Sequence, residues 1–135
     1  MFVLAPIRKR SDFLLAAQSG FKYVKPCIVI QVRKRYYGSD TNTDSLIRTG
    51  FTATRRIGGA VIRNRAKRRM RAAVRAALAE FGVEGCDYVF IARDNLVKVP
   101  FATLAKELRH SLKKLAEQLV NVAAETTAKA GFVLN

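Results

Sequence analysis

Arg55-Arg56-Ile57-Gly58-Gly59-Ala60-Val61-Ile62-Arg63-Asn64-Arg65-Ala66-Lys67-Arg68-Arg69-Met70-Arg71-Ala72-Ala73-Val74-Arg75 places nine cations and no acid in 21 residues. The gap in negative charge is wider still, because no carboxylate occurs between Asp44 and Glu80. Like charges at this density repel one another, so they make sense opposite a polyanion, and nucleic-acid backbone is the commonest polyanion in a cell. The residues are also ordered. At 100° steps Ile62, Ala66, Met70, Ala73, Val74, Ala77 and Phe81 share a sector about 120° wide, the apolar stripe of an amphipathic helix over 60–81. Asn64, Arg65, Arg68, Arg69, Arg71 and Arg75 take the remaining sector, with Lys67 at the border. Gly58-Gly59 breaks the preceding extended run and permits a tight turn into the helix, while Gly82 is placed to stop it. A solvated surface helix normally mixes signs, with Glu four residues before Lys or Arg. No mixing occurs here, so the pattern predicts a cationic face that binds nucleic acid.

Outward from this helix, Leu46 to Thr54 alternates in part and reads as a strand, and Asp87 to Arg93 as a buried strand. The general rule gives such a strand–helix–strand unit a right-handed crossover. Cys27-Ile28-Val29-Ile30-Gln31-Val32 is a β-branched run just after Pro26, hence another strand. Tyr36 to Ser45 is rich in turn formers and predicts a turn or hairpin loop, with room for a short strand at Tyr36-Tyr37. Ser11 is placed to cap a first helix over 12–19, with Asp12 favourable in its first turn and Gly20 ending it. Pro100 opens a final helix with the stripe Phe101, Ala105, Leu108, Leu112, Leu115, Leu119 and Val122. Periodicity fades over 123–135, where fraying or wrapping is expected. The order predicts an α+β fold, a two-layer sandwich of a small mixed sheet with three helices. A chain of 135 residues that is 50% hydrophobic fits one folded domain over 1–122 with a C-terminal extension over 123–135. Its net charge of +15 therefore sits on a globular body.

The same residues resemble a known signature. Arg55-Arg56-Ile57-Gly58, Ala60-Val61, then Arg63-Asn64-Arg65 with Lys67-Arg68 and Arg71 is similar to the pattern of the bacterial ribonuclease P protein component. Arg10-Ser11-Asp12-Phe13 followed by Gly20 resembles the family's first helix, Arg48-Thr49-Gly50-Phe51 the strand before the signature, and Asp87-Tyr88-Val89-Phe90-Ile91-Ala92-Arg93 its last strand. Gly59 stands where an Asn or another polar residue is common, and Ala17 where a second aromatic is often found. The resemblance implies a left-handed crossover in place of the right-handed one, and a cleft between the first helix and the open sheet face. It implies the protein subunit of the ribonucleoprotein that removes the 5′ leader from precursor tRNA, with an RNA subunit and its bound magnesium as the catalyst. Arg55, Arg56, Arg63, Asn64, Arg65, Lys67, Arg68 and Arg71 would then dock the catalytic RNA. Phe13, Gln31 and Arg48 would meet the leader.

The residues themselves give little sign of protein-borne chemistry. The ten acids are scattered, and no two fall into a metal-binding spacing with a third partner. His110, the only histidine, lies in a Lys-rich helical segment with no partner for proton transfer. Cys27 and Cys86 have no metal spacing and read as small buried thiols. No window is long and apolar enough to span a bilayer, and the apolar start Phe2-Val3-Leu4 precedes Arg8-Lys9-Arg10, the reverse of a secretory signal; the cytoplasm is the expected compartment. A structural ribosomal or other RNA-scaffolding protein would share the charge and size. It would leave cleavage of precursor tRNA at low magnesium unchanged. A DNA-binding protein would bind duplex DNA as well as structured RNA, and a protein-only nuclease would cut without RNA.

Overall fold

The structure, a computed structural model, describes residues 4–35 and 46–134, with side chains described through Leu119 except that of Ser19. In chain order the elements are β1 (Leu4–Pro6), α1 (Arg10–Ser19), β2 (Phe21–Val24), β3 (Ile28–Lys34), β4 (Ile47–Thr52), α2 (Ala60–Phe81), β5 (Cys86–Ala92) and α3 (Phe101–Leu134). Single 3₁₀ turns at Arg55–Ile57 and Leu96–Lys98 lead into α2 and α3. The five strands form one mixed sheet in the order β1-β4-β5-β3-β2. β4 and β5 are parallel neighbours joined through α2, and β3 runs antiparallel to β5 on its other side. The expected turn over 36–45, with Tyr36-Tyr37, lies outside the described residues.

Side-chain alternation sorts the sheet into two faces. Ile28, Ile30 and Val32 of β3, Ile47 and Phe51 of β4, and Cys86, Tyr88 and Phe90 of β5 point to one face, where they meet α2 and α3. Phe90 stacks with Phe51 at 5.5 Å and with Tyr88 at 6.2 Å between centroids. The other face carries a smaller cluster of Ile7, Ala16 and Val89 under α1, with Phe13 and Ile91 packed against it. Both faces of β5 are covered, which is why Cys86–Phe90 is buried without alternation.

The predicted α2 begins and ends where the periodicity places it, and Ala66, Met70, Ala73, Val74 and Ala77 are buried as expected. Several details differ. Ile62 is 41% exposed and folds back over Gly58, whose φ of 144° only glycine adopts readily. Gly82 is extended, with φ −67° and ψ 140°, and not a left-handed stop; a Cβ there would lie 2.5 Å from the Leu78 carbonyl oxygen. Arg69 turns away from the cationic face and donates to the Val99 carbonyl ahead of α3.

α1 starts at Arg10 with Lys9 as its N-cap, and Ser11 makes no capping bond. Asp12 instead faces Arg48 at 3.4 Å and Arg33 at 3.8 Å. In α3 the core is met by Leu104, Leu108, Leu112, Leu115 and Leu119, while the expected Phe101 is 45% exposed at the first turn. The helix runs from Phe101 to Leu134. Strands β1 and β2 were not expected from the sequence.

Candidate nucleic-acid interface

α2 is an amphipathic rod laid on the sheet. Its buried stripe fixes which residues look outward, and those are Asn64, Arg65, Arg68, Arg71 and Arg75, all exposed. Among the described residues none of these five makes an ion pair with a carboxylate. Arg63 and Lys67, one turn apart, lie half-buried at the border of the apolar face. The Arg71 guanidinium carbon sits 5.6 Å from the Phe51 ring centroid, a cation–π contact that leaves its donors free to reach outward. Arg55 and Arg56 are exposed on the 3₁₀ turn before α2. Arg56 lies 4.0 Å from Asp94, both largely solvated, a pairing of little strength.

The second candidate surface lies across the sheet, on the face that carries α1. Its floor can be read from the strand register. Arg48, Asp87 and Arg33 form one row across β4, β5 and β3, and Gly50, Val89 and Gln31 form the next. The structure thus brings Gln31 and Arg48 to one face, with Phe13 above them on α1. Phe13 is half-buried. Its ring occupies the space where Gly50 has no side chain: a Cβ there would lie 2.4 Å from Phe13 Cε1. The ring also lines an open groove of about 430 Å³ with Pro6, Ile7, Gly50, Phe51 and Arg71. It packs and presents a face at once.

Arg48 has partners within the protein. Its Nε and Nη2 donate to the two carboxylate oxygens of Asp87 at 2.7 and 2.6 Å, and its Nη1 reaches Asp12. Arg33 and Arg35 bond the same Asp87 carboxylate at 3.0 and 2.7 Å. Asp87 is wholly buried. Burial alone would raise its pKa, but the hydrogen bonds from Arg48, Arg33 and Arg35 outweigh that and hold it below the usual carboxylate range. Asp87 also pulls the Arg48 pKa up. Sequence reasoning missed this cluster because its members lie far apart in the chain; only the register of β3, β4 and β5 assembles them.

Asp12 and Asp87 share one face, but their oxygens face guanidinium groups, a setting that repels a divalent cation. No three His, Cys, Asp or Glu side chains gather elsewhere among the described residues.

The sequence model of the family described as Ribonuclease P matches residues 4–116. The chain belongs to the ribonuclease P protein component family. The ribonuclease P protein component of Caulobacter vibrioides (strain NA1000 / CB15N) is 44% identical over 129 residues, covering 96% of this chain and 83% of that one. Its counterpart in Ruegeria pomeroyi is 42% identical over 113 residues, covering 83% and 86%. The solved RNase P protein of Thermotoga maritima superposes with a TM-score of 0.67 at 28% identity, over 81% of this chain and 96% of that one. Membership makes the chain a subunit of the tRNA-processing ribonuclease P and implies an RNA partner. Among the described residues no helix is long and apolar enough to cross a membrane.

Proposed function

We propose that this protein binds the catalytic RNA of ribonuclease P through the outward face of α2 and holds the 5′ leader of precursor tRNA on the α1 face of the sheet. Cleavage is carried out by the RNA subunit, which holds the magnesium; the protein acts by binding. The observation that carries the reading is the acid-free outward face of α2, where Arg65, Arg68, Arg71 and Arg75 have no carboxylate to neutralise them among the described residues. Arginine forks match phosphate oxygens two at a time, and Asn64 beside them can bond a base edge or a ribose hydroxyl. Arg55, Arg56, Arg63 and Lys67 extend the same site. On the opposite face, Phe13 offers a stacking surface and Gln31 a hydrogen-bonding group for single-stranded RNA. Arg48 contributes there as the residue that holds Asp87 and Asp12, and so shapes the floor.

Two RNAs brought together repel. A cationic body between them lowers that repulsion, and the complex should then need less magnesium to act. A ribosomal scaffold would use the same charge but gives no reason for a half-exposed aromatic ring seated on a glycine in a groove. The cytoplasm, where precursor tRNA is processed in bacteria, is the compartment this function requires. The test is reconstitution with a bacterial ribonuclease P RNA and precursor tRNA. Purified protein should restore leader removal at a magnesium concentration where the RNA alone is inactive. Absence of rescue, or cleavage by the protein with no RNA present, would defeat the proposal.

A further inference from the structure

We infer that α3 carries a second RNA-binding stripe, so that the catalytic RNA is gripped by two helices and not by α2 alone. The inference rests on the proposed function and enlarges its site. α2 and α3 lie side by side on one face of the sheet. They run in the same direction, since Arg69 of α2 reaches Val99 just before α3, and Glu80 near the end of α2 bonds Arg109 at 2.9 Å. Leu104, Leu108, Leu112 and Leu115 bury one side of α3. At 100° per residue Lys106, Arg109, His110 and Lys113 fall on the opposite side, and all four are exposed. They are spaced i, i+3, i+4 and i+7, a stripe along the helix that looks outward as the α2 arginines do.

Glu117 continues this stripe one turn past Lys113 and Glu80 meets it from α2, but neither pairs with Lys106 or Lys113 among the described residues. Glu107 turns to the other flank and lies 3.9 Å from Lys25. Glu117 closes the far end, 3.9 Å from Lys114. Only Glu80 stands at the seam, where it ties Arg109 to α2. Lys106 and Lys113 make no ion pair among the described residues. Between the helices, Phe81 and the small Ala102 and Ala105 leave a groove of about 510 Å³ bordered by Lys106, Arg109, His110 and Lys113. A phosphate backbone crossing from α2 to α3 would find cations on both sides of a shallow apolar seam. Charge complementarity fixes the class of partner as a polyanion, and continuity with the α2 face assigns it to the same RNA.

The experiment measures binding of the full-length protein to a transcribed bacterial ribonuclease P RNA across a KCl series. Lys106→Ala/Lys113→Ala removes two exposed charges that support no packing, so its thermal melt should match the unmodified protein. The log–log salt slope should fall in magnitude by about 1.4–1.8, and affinity near 0.15 M salt by roughly tenfold. Lys106→Glu/Lys113→Glu should lose more. Arg8→Ala/Lys9→Ala, which removes two exposed cations next to α1, should change the slope by less than half as much. The inference is overturned if the α3 pair binds RNA as tightly as the unmodified protein, the result expected if this face meets an acidic protein instead. Equal loss from the α1-side pair would also overturn it, by reducing the effect to net charge. Failure of the unmodified protein to bind the RNA would instead remove the proposed function itself.

Discussion

Asp87 shows how one residue can organise a basic protein. Three guanidinium groups converge on its buried carboxylate, and they would repel one another without it. Asp87→Asn keeps the shape and removes the charge that three guanidinium groups share, leaving Asp12 against Arg33 and Arg48; the expected cost is ~3–5 kcal/mol, measured by urea unfolding. The pH dependence follows from the lowered Asp87 pKa. A carboxyl whose folded pKa lies below its unfolded value of about 3.9 contributes its full stability above that value and loses it as pH falls through the folded one. Acid unfolding of the native protein should therefore steepen below about pH 4, and Asp87→Asn should flatten that limb. An unchanged acid limb would show that the cluster is not what acid breaks. Gly50 acts at the same scale by being small. Gly50→Ala places a methyl group 2.4 Å from the Phe13 ring, so the ring must move or the strand must shift, at about 1–3 kcal/mol. If Phe13 meets the leader, both Gly50→Ala and Phe13→Ala should narrow the preference for precursor over mature tRNA. Equal loss of affinity for both tRNAs would mark Phe13 as packing only. Neither role could be read from composition: Asp87 and Gly50 look ordinary until the register sets one against three arginines and the other under an aromatic ring.

At the scale of elements, α2 was the most legible part of the chain. A stripe six turns long leaves one placement for each side chain, which gave both the extent of the helix and the outward identity of Asn64, Arg65, Arg68, Arg71 and Arg75. Arg69 escaped that logic because a neighbouring helix, invisible to periodicity, supplies an acceptor at Val99. β1 and β2 escaped for another reason. Leu4–Pro6 and Phe21–Val24 are three and four residues long at opposite edges of the sheet, too short for alternation to rise above chance. The last turns of α3 lack an apolar stripe, so periodicity gives no extent for them, yet the helix runs to Leu134. Ala123, Ala124, Ala128 and Ala130 favour helix by intrinsic propensity, with no apolar stripe required. The start of α2 is also open to improvement. Gly59 is its N-cap, with no side chain to bond the first-turn amides and nothing within 4 Å of where a Cβ would lie. Gly59→Ser should raise stability by a few tenths of a kcal/mol, seen as a small rise in melting temperature. Arg65→Ala, on an exposed position, should leave the melt unchanged and weaken binding to the catalytic RNA by roughly 5- to 150-fold. Unchanged RNA affinity would take Arg65 out of the interface.

The whole molecule separates two tasks, an apolar interior that holds the fold and a charged exterior that binds. α2, α3 and one face of the sheet share one buried cluster, and the free thiols of Cys27 and Cys86 both belong to it, 3% and 0% exposed. Burial pushes the Cys86 thiol up to about 11, and burial with the nearby Glu107 carboxylate raises that of Cys27. Thiolate is the reactive form, so neither cysteine should react with a maleimide at pH 8 while the protein is folded. The two sit at opposite ends of the cluster's strands: Cys27 just before β3 and Cys86 at the head of β5. If the core is one cooperative unit, both become reactive only when the whole domain opens. Labelling of each should then rise with urea along the same curve, with the same midpoint and slope as loss of helical circular dichroism. Asp87→Asn, by destabilising that unit, should speed both labelling rates by the same factor. Reaction of Cys27 at low urea, with Cys86 still protected, would show that the segment before β3 opens alone and that the core is divided. Salt separates the two tasks from the other side. Because the outward arginines of α2 make no internal ion pairs among the described residues, raising KCl should release RNA steeply while leaving the labelling curves nearly where they were.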